Sequence, residues 1–373
     1  MANDYSAVVL PELLLNIEQI FAESKRHELT LFEEPRTAVA LLENQTATLD
    51  PIFKMDGGDY RCTGFSVAYQ QADQNTIGSG GAEPTPDCVI APDQTFSGLK
   101  ETYDITRYFS RKIQVLGKDC DSAIKFRTRL AEAMMVKMHE LALEVNQWAI
   151  ATLVANKQTA TNTGEYGTGI VGGVVQYPKA DIQDATLWQS RLADWYLIGM
   201  QELLPASMFA VNGTNFWNAQ YNAGFNAAND DQRSQALALA AFPNYWDVHG
   251  FGVSRANILD TSFLIDRNAY VFMTRNQYSE TAVNMMDANN STVFSMPLRY
   301  VDMSGAVQTM MYKLNGVMTP VMVDCRLQYV CDNTNTVDGF PTYNYNLEMV
   351  LPGDFKIAPN QASSTGIVQI DAV

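Results

Sequence analysis

Apolar residues recur at helical spacing over one long stretch of the chain, from Asp121 to Val154. Charged side chains stand between them, which is the pattern of an amphipathic helix. The apolar positions are Phe126, Leu130, Met134, Met138, Leu141, Val145 and Trp148. The spacing predicts a helix of about 34 residues, roughly 50 Å long, with Asp121 or Ser122 able to cap its start. Because it lacks the strict repeat of a coiled coil, we expect it to span a whole domain.

Three shorter helices are predicted elsewhere. Leu10 to Ser24 places Pro11 in its first turn and its apolar residues on one face. Ala185 to Leu204 is amphipathic and ends before Pro205, and Gln232 to Ala241 forms a third, short helix. Between the first of these helices and the hairpin described next, Thr30 to Lys54 shows no sustained period and is predicted to be an extended arm.

A long hairpin is predicted from Gly57 to Leu99. A strand-like segment, Tyr60 to Tyr69, leads into a polar and glycine-rich stretch with Pro84 and Pro86, and apolar residues return at Cys88. Two strands of this kind have too little core to be stable alone. The hairpin is therefore expected to pack on a neighbour, which is a first indication of an assembly.

The last part of the chain has strand-like alternation. Gly316, Pro320 and Gly353 are predicted to interrupt it. The predicted strands are Ser207 to Val211, Val248 to Val253, Ala269 to Thr274, Met296 to Val301, an alternating run from Ala306 to Cys331, and Tyr343 to Ile357. Helices in the middle and strands at the end indicate an α+β fold.

Composition and charge exclude several classes of protein. The chain has 47% hydrophobic and 18% charged residues, as expected of a globular protein with a substantial core. Its 25 basic and 41 acidic residues give a net charge of −16, which disfavours binding to a phosphate backbone. No apolar run has the length of a membrane span, and the acidic N-terminal segment lacks the pattern of an export signal.

Cysteine usage favours free thiols over a disulfide framework or a zinc site. The five cysteines, an odd number, form no C-x-x-C pair. They are Cys62, Cys88, Cys120, Cys325 and Cys331. The 17 methionines, among them Met134 and Met310, are interpreted as flexible core filling rather than metal ligands.

Catalytic motifs are weak or missing. A Gly-x-Gly-x-x-Gly match at Gly167, Gly169 and Gly172 neither follows a buried strand nor opens a helix, so it is interpreted as a flexible surface loop. The histidines are far apart in sequence, and His139 is predicted to lie on the surface of the long helix because Leu143 stands where a zinc-protease motif needs its second histidine. We therefore assign no catalytic, cofactor-binding or metal-binding residue, and no cofactor. An acid/base pair among the carboxylates stays an open alternative, since its members need only be close in space.

The order of these elements resembles the major capsid proteins of the Hong Kong 97 phage type, found in tailed bacteriophages. In that family an N-terminal arm leads to an extended hairpin loop, a peripheral domain with a long spine helix, an axial domain of mixed structure, and late strands that return to the peripheral domain. The resemblance covers nearly the whole chain as an order of elements. It implies an arm at 1–55, an extended loop at 56–99, a peripheral domain with the spine helix at 100–186, an axial domain at 187–303 and return strands at 304–373.

The resemblance implies a structural protein, not an enzyme, that self-assembles into an icosahedral shell around viral double-stranded DNA. Its partners would be copies of itself, as hexamers and pentamers, together with portal, scaffolding or decoration proteins. It would enclose DNA without sequence-specific binding, have no membrane partner, and be located in the virion after assembly in the host cytoplasm. Two alternatives stay open: an encapsulin-like bacterial compartment with the same fold, and a soluble enzyme with a carboxylate site.

Overall fold

The computed structural model describes residues 34–56, 59–69, 99–116, 123–184, 187–204, 207–213, 216, 244–246, 260–276, 285–286, 292–302, 304–337, 340–357 and 365–373. These residues form a mixed fold of helices and sheets, as predicted. The helices are α1 Arg36–Asn44, α2 Ala123–Asn156, α3 Lys179–Gln183 and α4 Trp188–Gln201. None of them is long and apolar enough to cross a membrane.

Nineteen strands are present in the same residues, most of them antiparallel to their neighbours. They are β1 Asp50–Asp56, β2 Asp59–Tyr69, β3 Leu99–Asp104, β4 Tyr108–Leu116, β5 Gly169–Val171, β6 Val174–Tyr177, β7 Phe209–Asn212, β8 Asn244–Trp246, β9 Thr261–Ile265, β10 Tyr270–Thr274, β11 Met285–Met286, β12 Thr292–Pro297, β13 Arg299–Val301, β14 Val307–Thr309, β15 Met311–Leu314, β16 Val317–Pro320, β17 Met322–Val337, β18 Phe340–Ile357 and β19 Ile367–Ala372.

The long helix is confirmed as α2, which runs for 34 residues. Six of the seven predicted apolar positions are fully buried, and Trp148 is partly buried against the same core. Its predicted caps, Asp121 and Ser122, lie outside the described residues. A regular pattern over so many turns makes the helix predictable from local sequence alone.

The main sheet packs against α2. Its strand order is β10-β18-β17-β12-β11. One edge of β18 pairs with β17. Along the other edge, residues 344–352 pair with β4 and residues 353–357 pair with β10. Inward-facing residues of the sheet, such as Phe109, Cys325 and Leu347, join the largest core together with the apolar stripe of α2.

Gly353 does not interrupt the late strands, contrary to the prediction. It pairs with Thr274 within β18. A Cβ atom there would lie 3.0 Å from the ring of Phe272, so the glycine makes room for an aromatic side chain rather than for a turn. Gly316, by contrast, lies in the turn between β15 and β16 with a positive φ, and Pro320 ends β16, as predicted.

A second sheet, of order β5-β6-β19-β9-β7-β8, is buried on both faces in its centre. Phe263 and Ile265 face the main core, whereas Leu264 faces a second core formed with Trp195 and Ile198 of α4. The sheet therefore forms a layer between the α2 core and α4. All of β9 is buried, and its second half, Phe263 to Ile265, is continuously apolar, as expected of a strand covered on both faces.

The segment from Thr30 to Lys54, predicted to be an extended arm, contains the helix α1. Ala38, Leu41 and Leu42 bury one side of α1 in the main core, and the Ala38 N–H donates to Asn146 Oδ1 of α2 at 2.8 Å. So short a helix is stabilised by tertiary packing rather than by its own sequence, which explains why no sustained period was visible.

Of the hairpin predicted from Gly57 to Leu99, the first strand is confirmed as β2. The apolar return predicted at Cys88 lies outside the described residues, and β2 pairs with β3, which begins at Leu99. Strands β2 and β3 pair up to Tyr69 and Leu99, and β1 adds on the other side of β2. The segment between Tyr69 and Leu99 lies outside the described residues. The base is thus a three-stranded sheet of order β1-β2-β3 rather than two strands.

Other predicted elements are confirmed with shifted bounds. The helix predicted at Ala185 to Leu204 is α4, and the strand at Ser207 to Val211 is β7. The single strand predicted at Met296 to Val301 is divided between β12 and β13. Outside the described residues lie the predicted helices Leu10 to Ser24 and Gln232 to Ala241 and the predicted strand Val248 to Val253.

Candidate functional site

The base of the hairpin has no core of its own and takes one from the body of the protein. Apolar side chains of β2, among them Phe65 and Val67, pack with Val271 and Met273 of β10. Leu49 and Ile105, at the two ends of the base, join this small core. Because every member is buried, the base sheet is fixed to the main sheet along one face.

Polar contacts fix the orientation of the base as well. The guanidinium of Arg275, just after β10, donates from Nη1 to the Cys62 carbonyl at 2.7 Å and from Nη2 to the Tyr108 hydroxyl at 3.0 Å. The Tyr103 hydroxyl of β3 donates to the Ile357 carbonyl of β18 at 2.9 Å. Arg275 therefore joins Cys62 of the base to β10 and β4 of the body, and Tyr103 joins β3 to β18, so the base cannot rotate without breaking these hydrogen bonds.

The chain that enters the base is held by two amide side chains. Gln45, fully buried, accepts from the Phe272 N–H at 2.6 Å and donates to the Lys313 carbonyl at 3.1 Å. Asn315, in the turn between β15 and β16, accepts from the Leu49 N–H at 2.7 Å and donates to the Leu49 carbonyl at 3.1 Å. These paired hydrogen bonds satisfy backbone groups that have no strand partner.

Two grooves open on the surface of the described residues. One, of about 380 Å³, lies between the hairpin base and β15, with the 55% exposed Phe53 at its rim and Arg275 at one end. The other, of about 560 Å³, lies on the outer face of β4, β18 and β17, where Glu348 pairs with Lys112 at 3.2 Å. Neither groove brings two carboxylates together, as an acid/base mechanism would require.

Two buried carboxylates of α4 bind the loop that follows α2. Asp194 accepts from the N–H groups of Glu165 at 2.6 Å and Tyr166 at 3.2 Å, and from the Tyr177 hydroxyl. Glu202, just after α4, accepts from the N–H groups of Thr161 and Asn162, both at 2.6 Å. Both carboxylates are occupied by structural hydrogen bonds.

Sequence analysis missed this pair because their partners lie 17 to 44 residues away in the chain. A signal did exist. Asp194 precedes the apolar Ile198 by one turn and Glu202 follows it by one turn, so both carboxylates lie on the same side of the helix as Ile198. A carboxylate on a buried face has to find donors.

The Gly-x-Gly-x-x-Gly match lies in a hairpin rather than in a cofactor loop. Gly169 begins β5, and Gly172 lies with Gly173 in the turn to β6, both with positive φ. The turn requires left-handed backbone, which glycine adopts without strain. The predicted flexible loop is therefore wrong for this segment, since two short paired strands and the turn between them contain the motif.

His139 is fully buried, so its predicted place on the helix surface is wrong. Its Nδ1 accepts from the Val301 N–H of β13 at 3.1 Å. Together with Met135, one turn earlier, His139 lies on a second face of α2, which β13 and β14 cover. The strand pair that buries this face is distant in sequence, so the pattern of α2 alone did not reveal it.

The described cysteine and methionine side chains are placed as structural residues would be. Cys325 is buried and Cys62 half-buried, and burial raises the pKa of both thiols, which keeps them protonated at neutral pH. Met134, Met138 and Met310 are fully buried in the main core. Among the described residues, no three side chains of histidine, cysteine, aspartate or glutamate form a group that could hold a metal ion.

Buried tyrosines predict loss of stability in alkali. Burial raises the pKa of Tyr300 and of Tyr312 to about 12, and burial together with the hydrogen bond to Asp194 raises that of Tyr177 further. An unfolded tyrosine ionises near pH 10, so the unfolded state loses protons first as pH rises. The stabilisation is complete below pH ~10 and is lost toward pH ~12.

We expect the free energy of unfolding, measured by urea titration at intervals from pH 8 to 11.5, to fall above pH ~10. Tyr312→Phe keeps the ring and removes one ionisable group, so its decline should be shallower than that of the wild type. Identical slopes for the two chains would contradict the assignment of Tyr312.

Comparisons with known proteins give structural likeness only. No protein-family model matches this chain, and no curated protein matches its sequence. The capsid of Ralstonia phage GP4 is 9% identical with a TM-score of 0.41, over 92% of this chain and 93% of that one. The capsid of cyanophage P-SCSP1u is 10% identical with a TM-score of 0.39, over 89% and 87%. The capsid of Myoviridae phage XM1 is 10% identical with a TM-score of 0.38, over 89% and 88%.

All three are phage capsids, the class of protein that the order of elements in the sequence resembles. Likeness this distant carries no argument about function by itself. A proposal of function therefore has to rest on the geometry of this chain.

Proposed function

We propose that this chain is a structural capsid protein of a phage, which self-assembles into an icosahedral shell around double-stranded DNA. The observation that carries the proposal is the fixed hairpin base. Three strands are held to the body by one small core and by Arg275, and their ladder ends at Tyr69 and Leu99. A fixed base is suited to present the hairpin that the sequence predicts between these two residues to a neighbouring molecule.

The proposed domains follow the sequence ranges given above, with α2 as the spine helix. The arm at 1–55 contributes α1 and β1, and the return strands at 304–373 contribute β17 and β18 to the sheet on which α2 packs. The second sheet combines strands from 100–186, 187–303 and 304–373. Distant parts of the chain therefore stabilise one another within a single subunit.

The proposed partners are copies of the same chain, arranged as hexamers and pentamers, with portal, scaffolding or decoration proteins beside them. Closed shells repeat heterologous contacts around symmetry axes. A chain of net charge −16 would repel packaged DNA and so enclose it without sequence-specific binding. The proposed location is the virion, after assembly in the host cytoplasm.

An encapsulin-like compartment shell has the same architecture and is the nearest alternative. The two differ in content, since a virion encloses DNA and a compartment encloses an enzyme. A soluble enzyme is disfavoured because the buried carboxylates Asp194 and Glu202 are occupied by structural hydrogen bonds. We propose no catalytic activity.

Negative-stain electron microscopy of the purified chain, with size-exclusion chromatography beside it, tests the proposal. Closed particles tens of nanometres across, or rings of five and six subunits, are the expected result. A monodisperse monomer or dimer over a range of salt and protein concentrations would overturn it. Nuclease-protected DNA in particles from cells would separate the phage shell from the compartment.

A further inference from the structure

The outward side of α4 carries no charged side chain and is mostly apolar, although it faces solvent; Gln201 is exposed at its end. Ala193, Leu197 and Met200 follow one another at helical spacing and are exposed, with Leu197 at 42% and Met200 at 44%. The helix contains only two charged residues, Arg191 and Asp194, and both are buried. A solvent-facing stripe on a helix normally carries charged side chains.

Leu203 extends this stripe beyond the end of α4 and lies in an unfavourable conformation. The Leu203 N–H donates to the Met200 carbonyl, and the Leu204 N–H donates to the Gly199 carbonyl at 2.8 Å. These two bonds define a Schellman motif, in which the residue at the Leu203 position is left-handed and usually glycine. Leu203 has a φ of +65° there, and its side chain is 69% exposed.

A leucine that is both strained and exposed gains little from the subunit that contains it. Its side chain buries little area within the chain, while its backbone adopts a region that disfavours any residue with a Cβ. Strained positions of this kind persist where the surroundings or a function require them. The exposed side chain therefore indicates a contact outside the described chain.

The stripe is presented on a rigid support. Trp195 and Ile198, on the opposite side of α4, are fully buried against the second sheet. Asp194 and Glu202 bind the preceding loop to the same helix. Gly199 lets Met208 pack directly against the helix backbone, since a Cβ there would lie 2.4 Å from the Met208 sulfur. A rigid apolar surface binds with little loss of conformational entropy.

We propose that the surface formed by Ala193, Leu197, Met200 and Leu203 binds a second copy of this chain. The charge of the chain favours this occupant. Two copies that each carry −16 repel one another, which favours contacts where the surface is free of charge, as it is here. A cationic partner would instead be attracted to the acidic surface elsewhere. This inference rests on the proposed shell function and assigns one of its subunit contacts.

Leu203→Gly tests the contact because stability and assembly should change in opposite directions. Glycine relieves the left-handed strain and removes the exposed side chain, so the melting temperature of the unassembled subunit should rise by about 2 °C. The protein concentration needed for assembly, followed by light scattering and electron microscopy, should increase about tenfold, as expected for the loss of one apolar contact per copy. Met200→Gln is an independent variant and should impair assembly without changing stability.

Val317→Ser is the matched control, because it removes a similarly exposed apolar side chain, 64% exposed, from the β15–β16 hairpin. It should assemble as the wild type does. Three outcomes would each overturn the inference: an equal loss of assembly in the control, a destabilised Leu203→Gly subunit, or assembly of Leu203→Gly at the wild-type concentration. In each case the proposed function would still stand if the wild-type chain forms shells. A wild-type chain that forms no assemblies would overturn the proposed function itself.

Discussion

Deletion of Gln70 to Pro86 is expected to abolish closed particles while the subunit still folds. The two strands that the deletion rejoins are already held at their base, where Tyr69 pairs with Leu99 and Phe65 and Val67 lie in a core with β10. Residues from Asp87 to Gly98 remain to close the loop, and the entropy of loop closure changes only slowly with length. The fold therefore has little dependence on the deleted residues.

Assembly should depend on them strongly. A two-stranded hairpin, as the sequence predicts for this segment, is marginally stable in water by itself, so we expect it to be stabilised by packing on another molecule. Micrographs and sedimentation of the variant should show only unassembled subunits or small oligomers. Unchanged melting temperature and far-UV circular dichroism would establish that the subunit is folded.

Closed particles from the deletion variant at the wild-type yield would contradict the role of the hairpin. A second variant tests the base independently. Arg275→Ala leaves the deleted segment intact but removes the bonds to Cys62 and Tyr108. We expect fewer and more irregular particles from it, because the hairpin base would no longer be held at one fixed angle to the body.

Asp194→Ala is expected to lower the free energy of unfolding by about 3 kcal/mol, the largest effect on stability among the predicted substitutions. The substitution removes one carboxylate and leaves three donors without their acceptor: the N–H groups of Glu165 and Tyr166 and the buried Tyr177 hydroxyl. Each donor that loses a charged acceptor in a buried position costs on the order of 1 kcal/mol or more. Urea denaturation of the unassembled subunit measures the loss.

Tyr177→Phe is the variant to compare with Asp194→Ala, since it removes one donor and leaves the carboxylate with the two N–H groups. It should cost about 1 kcal/mol, clearly less than Asp194→Ala. Glu165→Gln changes an exposed side chain in the same loop and keeps its N–H, so stability should stay within about 0.5 kcal/mol of the wild type. A loss below about 1 kcal/mol for Asp194→Ala would show that solvent replaces the carboxylate and that the loop does not depend on it.

Local sequence determines some elements of this fold, and packing between distant segments determines others. Helix α2 was predictable because its apolar stripe repeats over many turns within one continuous segment. Helix α1 was not, because nine residues give too short a pattern and its stability comes from Asn146 and the main core. The burial of His139 was missed for the same reason, since β13 covers it from elsewhere in the chain.

The candidate site shows the same division. The sequence predicted a hairpin supported by a neighbouring molecule, whereas the structure shows that the described base is supported within the chain by β1, β10 and Arg275. The carboxylates Asp194 and Glu202 had a weak signal, their place on an apolar helix face, but no sequence pattern identified the loop they bind. The exposed stripe ending at Leu203 was not visible either, because helical spacing does not tell which side of a short helix is covered.

The sequence by itself determined the mixed class of the fold, the long helix, the position of the hairpin and the absence of charge along much of α4. These features depend on residues close together in the chain, whose periodicity and turn chemistry act locally. Only the tertiary structure decided which faces are buried, how the hairpin base is anchored, and that Leu203 is strained and exposed. Those properties arise from packing between segments that are far apart in sequence. The environment of a side chain then depends on which distant element packs against it.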